Sequence, residues 1–104
     1  YMALFKHPEG IIILESDTFD KPPNVCDRLA PGVHQIVLAI PPRTVGVGRY
    51  VVYLSFASAQ SAGEFHVDIP GNTVEFCILD HGSRRGNSRN GYLSTLLDWR
   101  AKPT

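Results

Sequence analysis

The most strand-like segment of the chain is RYVVYLSFA, residues 49–57, in which apolar side chains fill almost every position. Alternate residues of a strand point to opposite sides of its sheet. One side of this segment is therefore wholly apolar, whereas the other is mixed and carries Tyr53 and Ser55. Gly46 and Gly48 precede the segment and supply turn freedom. The pattern predicts a strand that packs one face into a core.

Short segments of the same kind occur on both sides of this strand, separated by turn residues. The chain has eight prolines and nine glycines, and no stretch of it shows the periodicity of an amphipathic helix. Pro8-Glu9-Gly10 predicts the turn of a hairpin. Because each segment has an apolar and a mixed face, the sequence predicts an all-β, antiparallel β-sandwich. The other predicted strands are residues 1–7, 11–15, 32–40, 64–68, 73–80 and 92–100.

Length limits the number of domains in the chain, and net charge limits the classes of partner. The 104 residues fit one domain, and we expect residues 1–104 to form a single β-sandwich domain. Tyr1 lies inside a strand pattern, so the chain is expected to be a fragment of a longer polypeptide. Ten Lys plus Arg balance ten Asp plus Glu. The sequence therefore lacks the basic surplus of a general nucleic-acid binder.

Catalytic and metal-binding motifs are missing from the sequence. It has no Gly-x-Ser-x-Gly elbow, no phosphate-binding glycine loop and no His-Glu-x-x-His pair. Cys26 and Cys77 are far apart and follow no metal or redox spacing. The sequence leaves open whether they form a disulfide. We predict a protein that is not an enzyme and that needs no cofactor or metal.

A binding role depends on exposed aromatic and polar side chains. Alternation places Tyr53 and Tyr92 on mixed faces, where their rings would be open to a ligand. The same alternation places the polar side chains of Gln35, Ser55 and Asp98 on these mixed faces. Ordinary solvent-facing side chains without a ligand would show the same alternation. Trp99 falls on the opposite side of its strand and is assigned to the core. The predicted carbohydrate-binding residues are Gln35, Tyr53, Ser55, Tyr92 and Asp98.

An arginine-rich loop precedes the last predicted strand. Residues 83–90, SRRGNSRN, contain three arginines among glycine and small polar residues. Guanidinium groups pair with phosphate or with the carboxylate of an acidic sugar. A solvated loop without a ligand has the same composition, so the sequence leaves both interpretations open.

The order of these motifs resembles a known family, the Wzt-type C-terminal domain of the ATP-binding subunit of polysaccharide (O-antigen) ABC exporters. The resemblance covers nearly the whole chain and consists of motifs that are individually common. It includes a glycine turn in a hairpin, a Pro-Gly before a strand that ends in Ile-Pro, and a Gly-x-Tyr that opens the longest strand. The matching residues are Pro8-Glu9-Gly10, Pro31-Gly32, Ile40-Pro41, Gly48-Arg49-Tyr50, Val74, Phe76, Ile78, Asp80, Gly91 and Trp99.

The resemblance implies a jelly-roll-like sandwich that binds a bacterial cell-surface polysaccharide, such as the O-antigen of lipopolysaccharide, for export. It implies a homodimer at the inner face of the plasma membrane, in the cytoplasm, in contact with the other ABC-transporter subunits. Such domains follow an ATPase module and have one or more strands before the hairpin. The chain is therefore expected to be a fragment that lacks the N-terminal strand or strands and any ATPase module.

Two other functions fit the same sequence. One is a dimerisation or interaction domain without sugar binding, in which the tyrosines would not matter. The other is a secreted carbohydrate-binding module, with a secretion signal upstream and a bridge between Cys26 and Cys77. A P-loop upstream would favour the exporter, and a secretion signal would favour the secreted module.

Overall fold

The computed structural model describes residues 1–58, 65–67 and 73–103. These residues contain strands and one short 3₁₀ turn, Gly86–Ser88, and no α-helix. No helix in the described ranges is long and apolar enough to cross a membrane. The all-β prediction is confirmed. The strands are β1 (Met2–Lys6), β2 (Ile11–Ser16), β3 (Gly48–Leu54), β4 (Phe56–Ser58), β5 (Phe65–Val67) and β6 (Thr73–Ile78).

Four of the strands form one antiparallel sheet in the order β2-β1-β3-β6, and β4 and β5 form a separate antiparallel pair. The predicted hairpin at Pro8-Glu9-Gly10 joins β1 to β2, where the backbone N–H of Gly10 donates to Lys6 O at 2.8 Å. Gly10 has a φ of 72°, which glycine adopts without strain. Among the described residues no strand of one sheet contacts a strand of the other. The four-stranded sheet is therefore open.

One face of this sheet carries the core. The register places Leu4 opposite Val52, and Tyr50 opposite Phe76, on the same side. The Tyr50 ring is fully buried and stacks on Phe76 with 5.9 Å between ring centroids, and its hydroxyl donates to Gly46 O at 2.8 Å. Gly46 packs against the backbone of Gly91, where a side chain would collide. The alternation predicted for β3 and β6 is thus the alternation observed.

Two predicted strands are not strands in the structure. Residues 33–40 and 93–100 pair with no strand in the described ranges, and most of their apolar side chains are exposed. Trp99 is 91% exposed, so its assignment to the core was wrong. β propensity reflects how well a side chain fits a pleated, half-buried surface, and a segment without a neighbouring strand gains nothing from it. We call residues 92–100 the C-terminal arm.

The chain exposes much more surface than a compact domain of its length. Its accessible surface is 8784 Å², whereas a compact chain of this size exposes roughly 5,800 Å². The radius of gyration is 18.2 Å, against about 13 Å for a compact domain. The apolar side chains of residues 33–38 and of the arm account for part of this excess.

Candidate functional site

The second face of the four-stranded sheet, opposite the core, carries a mixture of aromatic and charged groups. The register aligns Ala3 with Glu15 on one side and with Tyr53 on the other. It also aligns Tyr53 with Thr73. Directly opposed residues in a sheet project to the same side, so these four side chains share a surface. We call it the mixed face.

An aromatic pair lies at one end of the mixed face. The rings of Tyr1 and Tyr53 are 6.5 Å apart between centroids, with 65° between their planes. The Tyr1 hydroxyl donates to Glu15 Oε1 at 2.6 Å. This hydrogen bond, together with the charge of Glu15, raises the pKa of Tyr1 to about 12. The hydrogen bond to Glu15 and the contact with Tyr53 hold the Tyr1 ring at this end of the face.

An ion pair lies farther along the same face. Arg49 Nε is 2.6 Å from Glu75 Oε1, and both side chains are about half exposed. An exposed pair of this kind adds little to stability. Its donors and acceptors can exchange water for the hydroxyl groups of a ligand at low cost. The mixed face therefore combines aromatic surface with polar groups that can orient a ligand.

The structure separates the predicted site residues into groups. Tyr53 lies one residue before the end of β3 and near Ser55, whose backbone N–H donates to Tyr1 O at 3.0 Å. Tyr92 is held at the opposite end of β3, because its carbonyl accepts from Gly46 N at 2.8 Å. These two ends are roughly 17 Å apart along the strand. Gln35 lies in the unpaired segment 33–40.

Asp98 is exposed on the C-terminal arm. The structure thus brings Tyr53 and Ser55 to the aromatic end of the mixed face. It places the other three predicted residues on segments outside the sheet.

A buried ion pair, which the sequence analysis missed, fixes the other end of the sheet. Asp80 is 3% exposed at its side chain, and both of its oxygens accept from the Arg43 guanidinium, at 2.8 and 3.0 Å. Arg43 Nη1 also donates to Ser94 Oγ at 3.0 Å. Arg43 has a φ of 67°, which non-glycine residues rarely adopt. The pair ties the loop before β3 to the end of β6 and to the C-terminal arm.

Further donors surround the Asp80 carboxylate. Its Oδ2 accepts from Ser83 Oγ at 2.6 Å, and its Oδ1 accepts from the backbone N–H groups of Gly82 and Ser83 at 3.0 Å each. The Arg43 hydrogen bonds and then the Ser83 hydroxyl hold the pKa of Asp80 well below its ordinary value, against the opposing effect of burial. The hydrogen bond to Asp80 also raises the pKa of Arg43.

An apolar cavity of about 500 Å³ opens at the aromatic end of the sheet. It lies between Met2, Leu54 and residues 36–38, and it has Asp17 and Asp20 among its lining residues. Alternation along β3 places Leu54 on the core side and Tyr53 on the mixed face. The cavity therefore opens on the core side of the sheet.

The described residues contain no group of three His, Cys, Asp or Glu side chains that could hold a metal ion. Cys26 and Cys77 are both free thiols in the structure. Searches with the chain match no protein-family model, no curated protein and no solved structure.

Proposed function

We propose that this chain is the glycan-recognition domain of a bacterial exporter, binding a cell-surface polysaccharide of the O-antigen type on the mixed face. The ordered series of motifs and the antiparallel all-β architecture support this function. The domain would act in the cytoplasm at the inner face of the plasma membrane, next to the other ABC-transporter subunits. It would recognise the glycan without catalysis or cofactor, and ATP hydrolysis would take place elsewhere in the longer polypeptide.

The observation that carries the proposal is the aromatic pair Tyr1 and Tyr53 beside Glu15 on the mixed face. An aromatic ring offers apolar surface to the C–H face of a pyranose, and a neighbouring carboxylate accepts hydrogen bonds from its hydroxyls. A flat sheet face suits an extended polymer, because several sugar units can lie across adjacent strands.

Of the predicted binding residues, Tyr53 and Ser55 lie at the aromatic end of the mixed face. Gln35, Tyr92 and Asp98 would join it only after residues 32–40 and 92–100 pair with other strands. Such pairing would also supply the second layer of a jelly-roll-like sandwich, with the apolar faces of both layers in one core.

The glycan proposal is tested by calorimetry of the purified chain against a panel of bacterial O-polysaccharides. We expect Tyr53→Ala to weaken selective binding at least about tenfold, since stacking on an aromatic ring is lost. Phe19→Ala is the matched control. Phe19 is an aromatic residue that is 67% exposed, and it lies on the connection after β2 and not on a strand of the mixed face. Binding that Tyr53→Ala leaves unchanged would remove the mixed face as the site.

Tyr92→Ala belongs in the same series. A loss of binding in this variant would mean that the arm contributes to the site. If Tyr92→Ala binds as tightly as wild type, the site is restricted to the aromatic end of β3. If the chain binds no polysaccharide of the panel, glycan recognition itself is contradicted.

The large exposed surface favours self-association, either as part of glycan recognition or as the whole function of the domain. The excess over a compact chain is roughly 3,000 Å², well above the roughly 800 Å² that each partner of a standard interface buries. The C-terminal arm contributes Leu97, 71% exposed, and Trp99, 91% exposed. We propose a homodimer in which these side chains are covered by the second copy. A dimerisation domain without sugar binding is thus the second candidate function.

Analytical ultracentrifugation measures this association directly. We expect wild type to sediment as a dimer at micromolar concentration and the double variant Leu97→Asp/Trp99→Asp to sediment as a monomer, because burying two carboxylates opposes the interface. Phe19→Asp, a charge placed on an exposed aromatic residue outside the arm, should leave the dimer intact. A wild-type chain that stays monomeric at all concentrations would contradict the dimer.

A further inference from the structure

The loop that follows β6 carries a surplus of positive charge. Residues 81–91 contain Arg84, Arg85 and Arg89 and no aspartate or glutamate. Arg43 is bound to the start of this loop through Asp80. Among the described residues, Arg43 and Arg89 approach the Asp80 carboxylate, whereas Arg84 and Arg85 are exposed on the loop.

The loop is held in a defined conformation by its own hydrogen bonds. The Asp80 backbone N–H donates to Asn87 Oδ1 at 2.7 Å, and the Gly86 N–H donates to Ser83 Oγ at 3.2 Å. Arg84 and Arg85 precede the 3₁₀ turn, and both are exposed. In the described part of the chain, neither of these two side chains forms an ion pair. A ligand would therefore meet arginines on an ordered backbone, which lowers the entropy lost on binding.

The Asp80 carboxylate accepts hydrogen bonds from Arg43 but none from Arg89. The oxygens of Asp80 already accept hydrogen bonds from Arg43, from the Ser83 hydroxyl and from two backbone N–H groups. Arg89 Nε lies 3.9 Å from Asp80 Oδ2, too far for a hydrogen bond. This nitrogen is buried and has no hydrogen-bond partner among the described residues. Arg89 Nη2 donates to Ser83 Oγ at 3.5 Å, so the Arg89 guanidinium keeps donor capacity for an acceptor that approaches the loop.

A cavity of about 250 Å³ adjoins the Arg43–Asp80 pair at the start of the loop. Arg43, Asp80, His81 and Ser94 are among the residues that line it. It lies at the end of the sheet where Gly48 pairs with Ile78, away from the aromatic end of the mixed face. Arg84, Arg85 and Arg89 are not among its lining residues, so an anion would meet these arginines on the exposed surface of the loop.

We propose that Arg84, Arg85 and Arg89 form a second binding region, specific for an anionic group on the ligand, either a carboxylate or a phosphate. Guanidinium groups pair with both through two parallel hydrogen bonds. This inference rests on the proposed function and narrows the substrate to an acidic polysaccharide. The glycan backbone would contact the mixed face, and its charged substituents would contact the arginine loop.

The test uses the full chain and three probes in calorimetry: polygalacturonate, whose charges are carboxylates, a phosphorylated mannan, and an unphosphorylated neutral mannan. The main variant is Arg84→Ala/Arg85→Ala, which removes two exposed charges without touching the Asp80 network. The matched control is Lys21→Ala/Arg28→Ala, which removes two exposed charges from the connection after β2. Arg89→Gln is measured separately, with circular dichroism to confirm folding.

We expect the main variant to bind its preferred acidic probe at least about tenfold more weakly than wild type. We expect the control to change the affinity less than about twofold, and rising salt to weaken wild type more than the main variant. The preferred probe, polygalacturonate or phosphorylated mannan, identifies the anionic group. An equal loss in the main variant and the control would reduce the effect to overall charge and overturn the proposal.

The two proposals fail separately. Tight binding of neutral mannan, with no gain for either acidic probe, would overturn the anion site and leave glycan recognition standing. Binding of inorganic phosphate that depends on Arg84 and Arg85, in a chain that binds no polysaccharide, would overturn glycan recognition and leave the anion site. Acidic probes that bind the main variant as tightly as wild type would overturn the anion site alone.

Discussion

Asp80→Asn is expected to lower the Tm of the domain by more than about 10 °C, because it leaves the Arg43 guanidinium without its counter-charge. The Arg43–Asp80 pair joins three parts of the chain that share no strand pairing: the loop before β3, the loop after β6 and, through the hydrogen bond from Arg43 to Ser94, the C-terminal arm. An asparagine keeps the shape of the side chain but carries no charge. Thermal unfolding followed by circular dichroism measures the effect.

Asp27→Asn is the matched control, since Asp27 is exposed on the long connection after β2. We expect it to leave the Tm unchanged within about 2 °C. Arg43→Lys should fall between wild type and Asp80→Asn, because lysine keeps the charge and loses the two-pronged geometry. Equal Tm values for Asp80→Asn and Asp27→Asn would show that the buried pair contributes nothing to stability.

The same pair determines part of the acid sensitivity of the domain. The pKa of Asp80 is lowered in the folded state, so the unfolded chain takes up this proton at a higher pH than the folded chain does. The stabilisation is fully present above about pH 4, the ordinary range of a carboxyl group, and is lost as the pH falls toward the folded-state pKa. The Tm of wild type should therefore fall more steeply below about pH 4 than that of Asp80→Asn.

Leu4→Ala is expected to lower the free energy of unfolding by about 2–5 kcal/mol, the usual cost of removing a large buried aliphatic side chain. Leu4 is fully buried at the centre of the small core, with Met2, Val45 and Tyr50 as the other buried members of its cluster. A domain of this size has only about 5–15 kcal/mol of stability in total. The variant should therefore be partly unfolded near physiological temperature.

Urea unfolding measures the free energy of unfolding of Leu4→Ala and of the control Val33→Ala. Val33 is fully exposed, so its replacement should change the free energy of unfolding by less than about 0.5 kcal/mol. A cost at Val33 as large as that at Leu4 would mean that residues 33–40 are packed in solution. It would then indicate that the second copy, or further strands, cover this segment.

Local patterns in the sequence predicted the four strands that form the sheet, but not their order in it. Each prediction depended on residues only a few positions apart, so it could be made without knowing which strands would pair. This holds for the turn at Pro8-Glu9-Gly10 and for the alternation in β3 and in β6. The alternation also assigned Tyr53 to the face opposite the core, which the register confirms. Turns and alternation are local because they follow from backbone geometry and side-chain direction.

Only the tertiary structure determined which strand-like segments pair with another strand and which charged side chains form an ion pair. Residues 33–40 and 93–100 have the composition of strands and yet pair with none, because a strand is completed by hydrogen bonds from a neighbour that its own sequence does not specify. Arg43 and Asp80 are 37 positions apart and follow no motif. They meet because β3 and β6 pair in one particular register, which brings the loops at that end of the sheet together and out of water.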